Sequence, residues 1–221
     1  MRRLIKEFVQ LCASNLPLFE PIYEFGAFQV REQEGFADLR PIFPGKTYIG
    51  ADMRQGPGVD VILNLHDIDL PPESVGTVLI LDTIEHVEFP RKAIHNAHKI
   101  LKPNGALILT SVMNFPIHDY PHDYWRFTPE GFQSLMTPFT FSFVDSIGIQ
   151  DFPHTVISIG FKGDKNEDHM AGFIKEYQIW KSGWTPTPQP LWKKLVKPLI
   201  PPILLSIWAQ FRKTCAAITE K

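Results

Sequence analysis

The chain has 221 residues and a formal net charge of −2, and it is 44% hydrophobic and 21% charged. This balance is typical of a globular domain with a full core, and it argues against nucleic-acid binding because a phosphate-binding surface needs clustered Lys and Arg. Two distant cysteines, Cys12 and Cys215, form no disulfide framework or zinc motif, which favours a reducing cytoplasmic location.

Sequences for targeting or membrane insertion are not predicted. The segment after the basic start, Met1-Arg2-Arg3, is interrupted by charged residues, so we expect no signal peptide. No run of about 20 uncharged apolar residues is available to span a membrane.

The first part of the chain predicts one helix and four strands. Residues 3–13 carry apolar side chains at the i, i+3/i+4 spacing of an amphipathic helix. Strands are predicted at residues 21–26, 47–52, 59–65 and 77–82. Residues 27–44 are predicted as a loop or short helical region.

The second part alternates helices and strands. A helix over 90–101 is ended by Pro103-Asn104-Gly105, as proline and glycine do beyond a C-terminus. The fifth strand is predicted at 106–112. Thr128-Pro129-Glu130 has a capping residue followed by proline, which predicts the start of a helix running to about Met136. Two further strands, 139–145 and 155–161, are predicted as an antiparallel edge.

This order predicts an α/β fold: a Rossmann-like, seven-stranded, mostly parallel sheet with flanking helices and a C-terminal helical extension. The predicted strands between Asp52 and Ser111 end in acidic, polar or hydroxyl residues. Ligands bind outside the carboxyl ends of the strands in open α/β sheets. We therefore expect the functional site along this edge.

The predicted domain spans residues 1–163, and residues 164–221 are predicted as the helical extension. Its last part, 191–221, is apolar with basic residues and is broken by prolines. It could pack on the body of the protein or on a second copy in a homo-oligomer. The alternative is peripheral contact with an anionic membrane surface, which basic residues and Trp would suit.

Three segments combine into a recognisable pattern. They are Glu24-Phe25-Gly26 after the first strand, Leu81-Asp82-Thr83-Ile84-Glu85-His86-Val87 after the fourth, and Ile100-Leu101-Lys102-Pro103-Asn104-Gly105-Ala106-Leu107 before the fifth. Together they resemble class I S-adenosylmethionine-dependent methyltransferases over residues 20–161.

The first loop departs from that family's pattern of an acid followed by three alternating glycines. It reads Glu24-Phe25-Gly26-Ala27-Phe28-Gln29-Val30 and keeps only the first glycine. A His-Asp-Tyr-Trp-Arg-Phe-Thr segment at residues 122–128 resembles a bacterial subgroup with a similarly glycine-poor loop. That likeness implies that the cofactor's methionine end is held in a different way.

The resemblance implies S-adenosylmethionine as the cofactor and a role for each strand end. Asp52, with Met53 beside it, would hold the ribose hydroxyls, the logic also seen in dinucleotide-binding folds. Glu24 and Gly26 would lie beside the methionine moiety.

The next two strand ends would complete the cofactor site. Asp67 would contact the adenine, although the register also allows His66 to occupy the acid's place. Asp82 and Thr83 would face the methionine part or the acceptor. His86 is expected to stabilise the start of the following helix.

Residues 113–127 are predicted as a lid over the cofactor and acceptor because they are aromatic and too long for an ordinary loop. Four residues, His118, Asp119, His122 and Asp123, suggest a metal site by composition. Pro116 and Pro121 prevent the regular helix that would align two histidines, so no metal is predicted here.

Within the lid, His118 or His122 could serve as a general base near neutral pH, and the sequence does not choose between them. Arg126 would hold an anionic acceptor or form an ion pair.

The function implied by the resemblance is methyl transfer from S-adenosylmethionine to an unidentified small-molecule or glycan acceptor. The altered first loop leaves a catalytically inactive, methyltransferase-like binding protein as the alternative. Nicotinamide-dependent redox chemistry is disfavoured because the Gly-x-Gly-x-x-Gly motif is missing.

Overall fold

A single sheet of seven strands organises the residues that the computed structural model describes, which are 1–118, 122–163 and 167–185, with side chains omitted at 167–169. In chain order the strands are β1 (Ile22–Phe25), β2 (Tyr48–Asp52), β3 (Val61–Ile62), β4 (Val75–Leu81), β5 (Leu101–Val112), β6 (Phe141–Ile149) and β7 (Phe152–Lys162). Their order across the sheet is β3-β2-β1-β4-β5-β7-β6.

The first five strands pair in parallel, whereas β7 pairs antiparallel with both β5 and β6. The predicted Rossmann-like, mostly parallel sheet with an antiparallel edge is thereby confirmed. The strand order changes direction at β1, which lies between β2 and β4. Such a switch point opens a crevice at the carboxyl ends of the strands.

Four helices flank the sheet in the described part of the chain. They are α1 (Arg3–Asn15), α2 (Pro90–Ile100), α3 (Pro129–Leu135) and α4 (Glu167–Trp184). Thr128 caps α3 as predicted, since its hydroxyl accepts a hydrogen bond from the Gly131 amide at 3.1 Å. None of the described helices is long and apolar enough to cross a membrane.

Two apolar cores lie on opposite faces of the sheet. Side chains of a strand alternate between faces, so Leu79 and Leu81 of β4 join the core with α1 and α4, while Ile80 joins the core with α2 and α3. All seven residues of β4 are buried, as expected for a central parallel strand. Burying each such large apolar side chain stabilises the fold by roughly 1.5–3 kcal/mol.

The predicted C-terminal extension begins with α4. Phe8 of α1 contacts Tyr177 of α4 edge-on, with ring centroids 6.4 Å apart, and both side chains are fully buried. The compact unit that contains the sheet therefore runs from Met1 to Thr185. The tail interpretations for residues 191–221 concern residues outside the described part of the chain.

The largest errors in predicted strand length are at the third and fifth strands, and the last two strands, β6 and β7, are also longer than predicted. The third strand, predicted at 59–65, is only Val61–Ile62. Single main-chain hydrogen bonds to β2 continue on both sides, from the Asp60 amide to the Gly50 carbonyl at 2.8 Å and from the Leu63 amide to the Asp52 carbonyl at 2.9 Å. The Asn64 side chain then accepts a hydrogen bond from the His66 amide at 2.9 Å, which turns the chain. The fifth strand starts at Leu101, five residues early, and an irregular register opposite Val75 accommodates the extra residues.

The connection from β1 to β2 contains two single 3-10 turns, Arg31–Gln33 and Arg40–Ile42. Its first residues run beside the end of β2. The Gly26 amide donates to the Ala51 carbonyl at 2.9 Å, and the Gln29 amide donates to the Pro57 carbonyl at 2.9 Å. The glycine-poor loop is thus held against β2 by main-chain hydrogen bonds.

Candidate functional site

A cleft of about 480 Å³ opens at the carboxyl ends of β1, β2 and β4. This volume lies within the range of small-molecule sites, about 300–1,000 Å³. Most of the predicted site residues line it: Glu24, Gly26, Asp52, Met53, His66, Asp82, Thr83, His118 and His122. The chain therefore brings together, at the switch point of the sheet, residues that are up to 98 positions apart in sequence (122 − 24).

Asp52 ends β2 with a carboxylate that is almost completely buried at the cleft wall. Its Oδ1 accepts a hydrogen bond from the Arg54 amide at 2.9 Å, and its Oδ2 accepts one from the Phe28 amide at 3.3 Å. Each carboxylate oxygen can accept more than one hydrogen bond. The side chain is thus fixed in direction and retains capacity for a ligand's hydroxyl groups.

Phe28 lies in the loop after β1, and its ring packs on the turn that follows β2. It packs under the Arg54 guanidinium, 4.5 Å from ring centroid to Cζ, and against Gly56, where an added Cβ would approach the ring to 2.3 Å. The large side chain at this position is therefore accommodated by a glycine on the neighbouring turn.

The two residues predicted on the adenine side, His66 and Asp67, differ in position. His66 lines the cleft, and its Nε2 accepts a hydrogen bond from the Phe89 amide at 3.1 Å. Asp67 is exposed and is not among the lining residues. Asn64 lines the cleft instead, which the sequence analysis did not identify because Asn64 was assigned to the interior of a longer strand.

Glu24 is buried at the end of β1 and accepts a hydrogen bond from the Tyr48 hydroxyl at 2.6 Å. Burial raises the pKa of Glu24 to about 7, against the opposing effect of the Tyr48 hydrogen bond. The cleft therefore contains a carboxyl group that exchanges its proton near neutral pH.

Gly26 follows Glu24 with φ of +86°, a conformation that favours glycine. A Cβ at this position would lie 2.2 Å from Oγ1 of Thr83. The Thr83 hydroxyl is itself held by the Leu81 carbonyl at 2.9 Å. The ends of β1 and β4 can approach this closely only because residue 26 lacks a side chain.

Asp82 ends β4 and pairs with Arg2, a residue that sequence reasoning missed. Arg2 Nε donates to Oδ2 and Nη2 donates to Oδ1, each at 2.8 Å. Arg2 Nη1 also donates to the Thr155 hydroxyl at 2.6 Å. No pattern in the sequence marks Arg2, because it lies 80 residues from Asp82 and precedes an ordinary amphipathic helix.

Glu85 lies fully buried in the 3-10 turn Ile84–His86 that follows β4. The Ser111 hydroxyl donates to its Oε2 at 2.8 Å. Burial, together with the nearby charge of Asp82, raises the pKa of Glu85 to about 8. In the sequence, Glu85 is part of the segment Leu81-Asp82-Thr83-Ile84-Glu85-His86-Val87, and no role was predicted for it.

The predicted lid segment contacts this turn directly. The amides of Tyr124 and Trp125 donate to the Glu85 carbonyl at 2.9 and 3.2 Å, and the indole of Trp125 donates to the Val87 carbonyl at 3.0 Å. Phe115, His118, His122 and Tyr124 add their side chains to the cleft lining. The segment forms one wall of the site.

Arg126 makes an ion pair, which was one of its two predicted roles. Its Nη2 donates to Asp123 Oδ2 at 2.6 Å and to the Pro116 carbonyl at 2.9 Å, and its Nε donates to the Phe115 carbonyl at 3.3 Å. Hydrogen bonding to Arg126 holds the pKa of Asp123 well below its usual range. The guanidinium thus ties together the two ends of the lid.

The two candidate bases differ in their surroundings. His118 is half-buried, and its Nδ1 lies 3.2 Å from Asp123 Oδ2 and 3.2 Å from the Pro116 carbonyl. His122 is exposed, and its carbonyl accepts a hydrogen bond from His86 Nδ1. His86 also lies edge-on to His118, with ring centroids 4.7 Å apart. The structure therefore joins His86 to the lid as well as to the turn after β4.

One family model matches part of the chain. Residues 48–109 match a family model described as a methyltransferase domain. This segment runs from β2 into β5 and includes Asp52, Asp82 and Glu85, but neither the first loop nor the lid. A search of curated proteins finds no match.

Several solved structures resemble the chain. A SAM-dependent methyltransferase from Thermotoga maritima shares 19% identity with a TM-score of 0.52, over 73% of this chain and 100% of that one. One from Archaeoglobus fulgidus shares 14% identity with a TM-score of 0.53, over 71% and 94%. The CMeT domain of the citrinin polyketide synthase shares 15% identity with a TM-score of 0.54, over 72% and 52%. At these identities, the likeness shows the fold.

Proposed function

We propose that this protein is an S-adenosylmethionine-dependent methyltransferase that acts on a small-molecule or glycan acceptor. The observation that carries this proposal is the position of Asp52. It is a buried carboxylate at the carboxyl end of β2, it faces a cleft of suitable size, and it lies inside the segment that matches the methyltransferase family model.

The adenosine half of the cofactor fits the outer side of the cleft. Asp52 is held by the amides of Phe28 and Arg54 and by the Arg54 guanidinium, which donates to Oδ1 at 3.3 Å. Its Oδ2, with one donor so far, can accept a further hydrogen bond from a ribose hydroxyl. Met53 and His66 line the adjacent wall. Since Asp67 lies outside the lining, Asn64 is the better candidate for contact with the adenine edge.

The methionine half fits the inner side of the cleft. Gly26 lies at the end of β1, packed closely against Thr83, and Glu24, Gly26, Asp82 and Thr83 line the cleft there. The charge of Asp82 is already paired with Arg2, so Glu24 in its deprotonated form is the carboxylate that suits a ligand with an ammonium and a sulfonium group, because opposite charges attract more strongly where water is excluded. In this proposal these residues take over the role of the glycines that the first loop lacks.

S-Adenosylmethionine would supply a methyl group that is already activated on sulfur. The chain's task is to align an acceptor atom with that methyl group and to exclude water, and such positioning can lower a barrier by about 7–11 kcal/mol. The lid side chains Phe115 and Tyr124 close the acceptor side of the cleft.

A hydroxyl acceptor would also need a proton acceptor, which contributes about 10²–10⁴-fold. His118 and His122 both line the cleft. His118 has a carboxylate, Asp123, near its Nδ1, an arrangement that orients a base. His122 is more exposed and remains the second candidate.

Isothermal titration calorimetry with S-adenosylmethionine and S-adenosylhomocysteine tests the proposal. We expect micromolar binding by the intact protein and a loss of at least tenfold in Asp52→Asn. Asp67→Asn is the matched control, since it removes a nearby exposed carboxylate and should bind as the parent does. Absence of binding by the intact protein would overturn the cofactor assignment, and equal affinity in Asp52→Asn would overturn the ribose role.

A further inference from the structure

Glu85 carries a polar atom that lacks a hydrogen-bond partner among the described residues. Its side chain is fully buried, and Oε1 makes no hydrogen bond in the described part of the chain. Oε2 is satisfied by Ser111. A buried polar atom without a partner costs free energy, so each such case in a native fold calls for an explanation, of which an ion is one.

Two histidines converge on this carboxylate from different parts of the fold. His86 is the next residue in the turn after β4, and His118 comes from the lid. One ligand atom from each of the three side chains lies within 4.8 Å of the other two. The cluster therefore places two imidazoles and one carboxylate around a common point at the cleft.

The ring orientation of both histidines is set by hydrogen bonds to Nδ1. His86 Nδ1 contacts the His122 carbonyl, and His118 Nδ1 contacts the Pro116 carbonyl and the Asp123 carboxylate, each at 3.2 Å. Metal-binding histidines almost always donate their other ring N–H to a carbonyl or a carboxylate in this way. These contacts fix the direction in which each imidazole faces the cluster.

The donor set selects a class of ion. Two nitrogens and one carboxylate oxygen suit zinc or another divalent first-row transition metal. Calcium and magnesium prefer oxygen ligands throughout. Ligand atoms around a tetrahedral zinc are about 3.4 Å apart, given bonds of about 2.1 Å. A movement on the order of 1 Å, within reach of small side-chain rotations, would complete the site.

We propose that Glu85, His86 and His118 bind a divalent transition-metal cation at the acceptor side of the cleft. Three protein ligands leave at least one position open, which is the pattern of a catalytic site. If the proposed methyl transfer holds, that open position faces the acceptor and would take its oxygen. His118 is then a ligand, and His122 is left as the proton acceptor.

Titration of the intact, chelator-treated protein with Zn²⁺ alone tests the site. We expect binding of one equivalent, with Mg²⁺ at the same concentration giving no heat above dilution. Glu85→Gln and His118→Ala should each weaken Zn²⁺ binding by at least tenfold. His95→Ala is the matched control, because it removes an exposed histidine of α2 outside the cluster and should leave affinity unchanged.

Two further measurements separate this inference from other causes. Co²⁺ bound in place of zinc should give the visible absorption of a low-symmetry site, and His118→Ala, which alters the cleft wall and leaves the apolar cores intact, should lose it. Zn²⁺ binding that is absent, or that is equal in the parent, Glu85→Gln and His118→Ala, overturns the inference. S-Adenosylmethionine binding is measured on metal-free protein, so its failure would be a separate result.

Discussion

Arg2 donates two hydrogen bonds, each of 2.8 Å, to the carboxylate of Asp82. Asp82 stands at the end of β4 with φ of +46°, and the Thr110 hydroxyl also donates to its Oδ1, at 3.1 Å. The pair joins the residue before α1 to the switch point of the sheet. A segment that appears in the sequence only as the approach to a helix thus forms a wall of the cleft.

Arg2→Met should lower the free energy of unfolding by about 2–3 kcal/mol, because it removes charged hydrogen bonds from a mostly buried carboxylate. The side chains of Arg2 and Asp82 are 26% and 17% exposed. Arg3→Met is the control, since Arg3 is 78% exposed in its pair with Glu7 and should change stability by less than about 1 kcal/mol. Urea denaturation measures the free energy of unfolding of both variants. Equal losses would contradict the stabilising role of the Arg2–Asp82 pair.

Gly26→Ala should destabilise the protein by two separate effects. A side chain at φ of +86° costs roughly 1–2 kcal/mol, and the overlap of its Cβ with Thr83 adds about 1–3 kcal/mol. Gly35→Ala isolates the first effect, because Gly35 has φ of +76° and nothing within 4 Å of the added Cβ. Thermal unfolding of both variants compares them. If the two variants are destabilised equally, the overlap of the added Cβ with Thr83 does not contribute to the loss of stability.

Stability should fall as pH rises from about 4.5 to 7 through Glu24. Burial raises its pKa from 4.5 to about 7 in the fold, so over this window the folded state binds more protons than the unfolded state, and the unfolding free energy decreases with pH. The expected loss is on the order of 1–3 kcal/mol. Glu24→Gln should remove this contribution, as denaturation curves at several pH values would show.

Tyr48→Phe keeps the Glu24 carboxyl group and removes its hydrogen-bond donor. The Tyr48 hydroxyl donates to Glu24 and favours its charged form. Without that donor the pKa of Glu24 should rise further, so the loss of stability should extend to higher pH than in the parent. A pH dependence identical in the parent, Glu24→Gln and Tyr48→Phe would contradict the assignment.

The lid should open when Arg126 can no longer bridge its ends. Arg126→Met removes the bonds to Asp123, Phe115 and Pro116, so the amides of Tyr124 and Trp125 should exchange with solvent at least several-fold faster. Hydrogen exchange with mass spectrometry of the peptide containing these amides measures the change. Arg91→Met, which removes contacts to Ser134 only, is the control and should leave that peptide protected. An unchanged exchange rate in Arg126→Met would show that Arg126 does not hold the lid closed.

Apolar periodicity was sufficient to predict the helices and the central strands. The continuous apolar run of β4 predicts a strand that is buried on both faces of a parallel sheet, and this strand is buried along its whole length. The third strand is shorter than predicted because the chain turns at Asn64, whose side chain accepts a hydrogen bond from the His66 amide. Hydrophobicity does not report such a side-chain contact.

The candidate site likewise contains residues whose position the sequence predicts and residues whose position it does not. Asp52, Glu24 and Asp82 could be predicted because an acid directly after an apolar strand must lie at the sheet's edge. Asp67 shows the limit of that reasoning, since a short shift in the end of β3 moves it out of the cleft. The membrane and oligomer alternatives for residues 191–221 stay predictions.

The order of elements, the parallel sheet and the acid at the tip of β2 follow from patterns within a few residues, since periodicity and strand ends are local properties. The partners of those residues are not local. Arg2 meets Asp82 across 80 positions, and His118 meets Glu85 across 33 (118 − 85). Such contacts exist only after the chain has closed around its core, because packing of α1 and of the lid decides which polar groups share the buried space.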